Sequence, residues 1–242
     1  DIILMAHRTS TSNTPLPLDY HTDDAEAFHL LSLPLFQGLS QSDLLRIAET
    51  TPLSFAQHPQ GECIAKESEA CRQLTVLFKG SVEVMAEADD HGYSLTETLK
   101  APLVIEPEHL FGLHQHYRRT YTTAEACNTL SISKQHVITL TQNFMVFRLN
   151  LLNIICTQSQ RLQRQPWHPQ PTDLRQRIIH FFKDRSLRPA GEKVFKIKMV
   201  RLATELNASR LDISIALNAM QTDGLIKLTR GYITVPALER LT

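Results

Sequence analysis

The sequence predicts an α+β chain: an all-β domain first, one long helix next, and a smaller helical domain closed by a hairpin. Three observations carry this. Between residues 51 and 133, short β-rich runs alternate with turn residues. From 134 to 165 there is neither Gly nor Pro, and apolar residues recur at helical spacing. Beyond 172, two amphipathic stretches separated by a tight turn precede a strand-turn-strand pattern. The 242 residues suffice for two cores, and 42% apolar with 21% charged residues is an ordinary globular balance. No apolar run is long enough to span a membrane, and no charged-then-apolar leader opens the chain. Cys63, Cys71, Cys127 and Cys156 form neither CxxC pairs nor a dense framework. A cytoplasmic protein with reduced thiols is expected.

In chain order, residues 1–28 are rich in Thr, Ser, Asp and Pro without a sustained period and read as a flexible extension. Residues 29–133 read as a β-roll with helical flanks. The domain opens at Leu33-Pro34-Leu35-Phe36-Gln37-Gly38-Leu39, where Ser40 stands three residues before Asp43 as a helix cap. Leu44, Leu45, Ile47 and Ala48 then give a short amphipathic helix. Strands are expected at 63–65, 74–78, 81–85, 103–105, 121–124 and 130–132, with turns at Lys79-Gly80 and Asp89-Asp90-His91-Gly92. Many short strands with close turns favour a roll or barrel over a parallel sheet.

Residues 134–165 read as one uninterrupted helix ended by Pro166. Leu140, Phe144, Phe147, Leu151 and Ile154 alternate steps of four and three, the spacing of a coiled-coil seam. A helix of about thirty residues runs ~45 Å, longer than one small domain needs. The seam is therefore read as a homodimer interface, the alternative being burial within the helix's own domain. Residues 166–171 supply three prolines and form an extended linker. The zero net charge is uneven: residues 172–242 hold thirteen Lys and Arg against seven Asp and Glu, leaving the remainder net acidic. Unless that is incidental surface charge, the basic domain, 172–242, faces phosphate.

Within it, Leu174, Ile178, Ile179, Phe181 and Phe182 mark a first helix, and Val194-Phe195-Lys196-Ile197 a strand. Val200 to Leu206 then reads as a short helix, Asn207-Ala208 as a turn, and Ser209 as the cap of a helix running to about Thr222. Ala203 is small where two helices must approach, and Asn207 tolerates the left-handed backbone a tight turn needs. Leu202 and Leu206 can meet Ile213 and Leu217. Ser209 serves the orphan amides at the second helix's start, and Arg210 is presented there to a guanine edge. Residues 225–228 and 232–235 form a wing with Arg230 at its basic turn. These parts define a DNA-binding winged helix-turn-helix. Its expected contacts are Arg210 to a base, with Ser209, Lys198, Arg201 and Arg230 to phosphates. Asp212 either accepts from a cytosine amine or serves the helix N-terminus.

Over about residues 33–238, this order of parts resembles the cyclic-AMP receptor protein / fumarate-nitrate reduction regulator (Crp/Fnr) superfamily of bacterial transcription factors. Its marks are Leu35-Phe36-Gln37-Gly38-Leu39-Ser40, the Gly61-Glu62 turn, residues 78–84, Leu110-Phe111-Gly112, the long helix, and Leu202 through Ile226. The resemblance implies a cyclic-nucleotide-binding-like β-roll (jelly roll) as sensor and a homodimer through the long helix. It also implies a two-fold symmetric double-stranded operator, with RNA polymerase as a further partner. Arg210 falls on the family's guanine-reading arginine and Ser209 on its phosphate-contacting cap. Two departures matter. Members that bind cyclic nucleotides carry Gly-Glu, and about ten residues later Arg-Ser or Arg-Thr. Here Gly112 precedes Leu113, and Arg118-Arg119-Thr120 comes several residues early. Cyclic AMP is therefore not expected; Gly112, Arg118, Arg119 and Thr120 are left to another anion or to a solvated loop. In the reading helix, Leu211 replaces a common Glu and Ile215 a second common Arg.

The alternative is a metal-dependent, cupin-like β-barrel enzyme, or a metal or haem sensor, built on His109, His114 and His116. The carboxylate such a site needs is not close by; the first after His116 is Glu125. Solvated loop histidines are the simpler reading, and no cofactor is expected. Cysteine spacing does not fit an iron–sulfur cluster. Cys71 or Cys127 is a candidate redox thiol, and Cys156 packs at the helix seam. No nucleophile–base set, phosphate-binding glycine loop or paired carboxylates appear, so no enzymatic activity is expected.

Overall fold

The structure, a computed structural model, describes Leu30 and residues 33–163 and 171–242. The expected extension 1–28 and the linker 166–171, Pro171 apart, lie outside the described residues. In chain order the elements are α1 (Gln41–Thr50), β1 (Ser54–His58), β2 (Cys63–Ala65), β3 (Gln73–Lys79), β4 (Ser81–Glu87), β5 (Tyr93–Lys100), β6 (Leu103–Ile105), β7 (Thr120–Thr123) and β8 (Cys127–Ser133). They continue with α2 (Lys134–Asn143), α3 (Met145–Gln163), α4 (Leu174–Arg185), β9 (Lys193–Ile197), α5 (Met199–Glu205), α6 (Arg210–Thr222), β10 (Lys227–Thr229) and β11 (Tyr232–Val235). The chain forms two compact units. The first holds the described residues up to Val82 with Lys100–Arg118 and Thr122–Arg161, and the second holds Glu83–Leu99, Arg119–Tyr121 and the described residues from Leu162.

The first unit is built on an antiparallel sheet of order β1-β8-β3-β6. Its centre is β3, whose Leu74, Val76 and Leu77 are fully buried, the continuous apolar run expected of a strand covered on both faces. The β3–β4 turn requires glycine. Gly80 has φ 93°, and a Cβ there would lie 2.7 Å from Cys127 Sγ and 2.8 Å from the Ala126 carbonyl oxygen. Ser40 caps α1: its hydroxyl accepts the Asp43 N–H at 3.1 Å and donates to the Asp43 carboxylate at 2.9 Å. The apolar segment before it lies on α3, with the Phe36 and Phe147 ring centroids 5.6 Å apart. Asn150 Nδ2 donates to the carbonyls of Leu35 and Gln37 at 3.1 and 2.8 Å.

The expected single helix over 134–165 is broken. Phe144 adopts an extended conformation between α2 and α3 (φ −124°, ψ 101°). No Gly or Pro marks this break. Phe144 is buried instead, with the Arg46 guanidinium 4.6 Å from its ring centroid. Tertiary burial overrides local propensity here.

In the second unit, β9 has β11 on one side and β5 on the other, and the edge order is β10-β11-β9-β5. The sequence assigns residues 93–100 to the β domain, yet Tyr93 to Glu97 pair in register with Ile197 to Lys193. Leu95 joins the core made by Ile178, Phe181, Phe182, Phe195, Leu202 and Leu217. The same pairing buries an ion pair, Lys193 Nζ to Glu97 Oε1 at 2.8 Å, with side chains 1% and 3% exposed. Lys193 also donates to the Ala190 carbonyl, and Glu97 accepts the Leu187 and Arg188 N–H groups. Each charge is thus hydrogen-bonded as well as paired, as burial requires.

Candidate nucleic-acid interface

Helices α5 and α6 meet through a turn in which Asn207 is left-handed at φ 46° and Ala208 N–H reaches the Ala203 carbonyl at 3.0 Å. Leu202, Ala203, Leu206, Ile213, Leu217 and Met220 are buried against the unit's core, so the opposite face of α6 is left outward. Ser209 caps α6, accepting the Asp212 N–H at 3.1 Å and donating to the Asp212 carboxylate at 2.7 Å. Of the two roles open to Asp212, this is the helix N-terminal one. Arg210 is exposed, and among the described residues none forms an ion pair with it. Lys198, at the start of α5, is exposed, as are Lys227 on β10 and Arg230 in the β10–β11 turn.

Three arginines of this unit are engaged. Arg175 pairs with Asp223 at 2.7 Å, Arg177 donates to the Leu206 carbonyl at 2.7 Å, and Arg185 reaches Glu205 at 3.1 Å while lying over the Phe181 ring. Arg201 corrects an expectation. Read from the sequence as a phosphate anchor, it is held by Asp90 at 2.6 Å and Glu205 at 2.7 Å. Partial burial pulls its basicity down, but these two carboxylates outweigh that and hold the guanidinium above its ordinary value. The Gly92 N–H and Arg201 hold the Asp90 carboxyl below its ordinary 3.8. A carboxyl lowered in the folded state stabilises it fully above the ordinary value; that contribution fades as pH falls through the lowered one. Asp90 was legible only as turn chemistry, because its partner lies over a hundred positions away.

The expected dimer seam points inward. Leu140, Phe144, Phe147 and Leu151 are buried in the first unit's own core, and Ile154 is half-buried. The four-and-three spacing of the first four marks the face that closes this core. Among the described side chains of α3, the exposed large apolar ones are Met145, Leu149 and Leu152, 64%, 50% and 49% exposed, with Cys156 exposed one step on. They repeat the same spacing.

Of the expected effector residues, Gly112 is exposed with φ 89° and open space where a Cβ would lie. Arg118 is exposed in the first unit, its N–H donating to Glu106 Oε2 at 2.7 Å. Arg119 and Thr120 are half-buried and belong to the second unit. His114 and His116 are exposed; His109 Nδ1 lies 3.2 Å from the His114 carbonyl oxygen and its Nε2 3.8 Å from Glu106. Among the described residues, no group of three or more His, Cys, Asp or Glu side chains could hold a metal ion. All four cysteines are free. Burial pushes the Cys71 and Cys127 thiols up, away from the reactive thiolate. No helix among the described residues is long and apolar enough to cross a membrane.

No family model matches the chain, and no curated protein matches it. Among solved structures it is similar to the catabolite activator protein of Thermus thermophilus, 16% identical over 84% of this chain and 93% of that one, with a TM-score of 0.45. It is also similar to a transcriptional regulator assigned to the crp/fnr family from Eubacterium rectale, 20% identical, covering 86% and 96% of the two chains, TM-score 0.48. A third is the sensor domain of the transcriptional regulator DNR from Pseudomonas aeruginosa, 17% identical, covering 62% and 97%, TM-score 0.48. The last two are described as a transcriptional regulator and as the sensor domain of one.

Proposed function

We propose that the chain is a DNA-binding transcription regulator of the Crp/Fnr type, acting as a homodimer, with its winged helix-turn-helix on a two-fold symmetric operator. One observation carries the reading: α6 presents a capped N-terminus and an exposed, uncommitted Arg210. Exposed Lys198, Lys227 and Arg230 stand on the neighbouring elements, while Arg175, Arg185, Lys193 and Arg201 are engaged internally. Arg210 reads a guanine edge in the major groove, Lys198, Lys227 and Arg230 meet phosphates, and the Ser209 hydroxyl turns its proton from Asp212 to a phosphate oxygen beside the helix-terminal amides.

The second copy covers Met145, Leu149, Leu152 and Cys156 of α3, and a two-fold symmetric operator calls for half-sites about 34 Å apart, one turn of duplex. The effector is not cyclic AMP: Leu113, 91% exposed, offers no carboxylate for ribose hydroxyls. Another anion remains the ligand class proposed for Gly112, Arg118, Arg119 and Thr120, and RNA polymerase the further partner.

Selection of duplexes from a random library by the full chain, followed by fluorescence anisotropy, tests this. Arg210→Ala should cost about 1–3 kcal/mol and relax the preference at one base pair per half-site. Unchanged affinity would overturn the reading.

A further inference from the structure

The outward face of α6 carries two large apolar side chains, Leu211 and Ile215, 69% and 60% exposed. They stand four residues apart, so they line up one above the other over ~6 Å of helix axis. Arg210 directly precedes them. Ser214 and Asn218, joined at 3.4 Å, lie beside them. Asp212 is turned to Ser209 and Asp223 to Arg175. Over residues 210–218 the solvent side of α6 therefore carries, beside the Ser209-bound Asp212 carboxylate, one cation, two branched hydrocarbons and two small polar groups.

We infer that Leu211 and Ile215 recognise the 5-methyl groups of thymines, so that each half-site places thymine at base pairs adjoining the guanine read by Arg210. The inference rests on the reading of α6 as the groove-lying helix. The floor of the major groove offers donors, acceptors and one apolar group, the thymine methyl. Leucine and isoleucine neither donate nor accept. Over a G·C pair they remove water from O6, N7 or N4 and return nothing, an uncompensated desolvation. Over thymine they bury a methyl group. With base pairs stacked ~3.4 Å apart, the ~6 Å between the two side chains matches about two steps. The exposed cations on α5, α6, β10 and the wing turn fit a polyanion around this small apolar patch; an apolar protein surface would leave them desolvated.

The experiment uses the full chain and duplexes it selects from a random library. Selected half-sites should be enriched in thymine beside the guanine. Replacing those thymines by deoxyuridine, which removes only the methyl, should weaken binding about fourfold per methyl, the equivalent of one buried CH₂. The penalty should vanish in the Leu211→Ala, Ile215→Ala double variant. Both residues are exposed, so truncation spares the core. A second duplex with 5-methylcytosine in place of the thymine should recover part of the lost affinity. Equal affinity for thymine and deoxyuridine duplexes, with Arg210→Ala still damaging, overturns this inference and leaves α6 as the reading helix. Selection of no duplex at all overturns both.

Discussion

At the scale of single residues, a side chain's partner determines its use more than its charge does. Arg201 and Arg210 lie nine positions apart in one basic segment, yet Arg201 is held by Asp90 and Glu205 while Arg210 is exposed. Lys193 is the extreme case, a cation buried against Glu97 and closed off by backbone groups. Removing one member of such a pair leaves the other charge uncompensated. Glu97→Ala should therefore destabilise the fold by about 3–5 kcal/mol, read by chemical denaturation. A loss below about 1 kcal/mol, as for an exposed pair, would contradict the buried assignment. The local devices were legible beforehand because they are written in adjacent residues: the Ser40 and Ser209 caps, the left-handed Asn207, the small Ala203. Asp90 and Glu97 were not, since nothing local tells a turn aspartate or a strand glutamate that its counter-charge lies about a hundred positions on.

At the scale of elements, spacing revealed helices but not which way they face. Two seams with four-and-three steps run along 140–156. The larger residues, Leu140, Phe144, Phe147 and Leu151, fill the core, and the second set, Met145, Leu149, Leu152 and Cys156, is exposed. Periodicity finds a stripe; competition for the core decides its direction. The same competition turns Phe144 inward and divides the helix where no breaker residue stands. Under the proposed dimer, Leu149→Asp places a charge within an apolar contact. It should shift the protein to monomer in analytical ultracentrifugation at micromolar concentration and reduce operator affinity to that of a single half-site. Retention of a dimer would mean that this face is not the contact. Strands β1 and β5 were missed because an ionisable residue holds a buried position in each, His58 in β1 and Glu97 in β5, and breaks the apolar alternation.

At the scale of the whole molecule, the proposed regulator meets its operator with two copies, each offering Lys198, Lys227 and Arg230 to phosphates. About six neutralised phosphates predict a loss of about 10³-fold in affinity between roughly 50 and 200 mM salt. A flat salt dependence in the same titration would argue that the basic face does not meet the backbone. The pairing of β5 with β9 bears on handling the protein in pieces. The prolines at 166–171 invite a cut there, yet β9 takes its neighbour β5 from residues more than sixty positions upstream of that cut. An excised tail would carry a bare five-residue strand margin and, at Lys193, an unaccompanied ammonium beneath it. Such a piece would clump edge to edge unless the stretch from 83 to 99 were supplied alongside it.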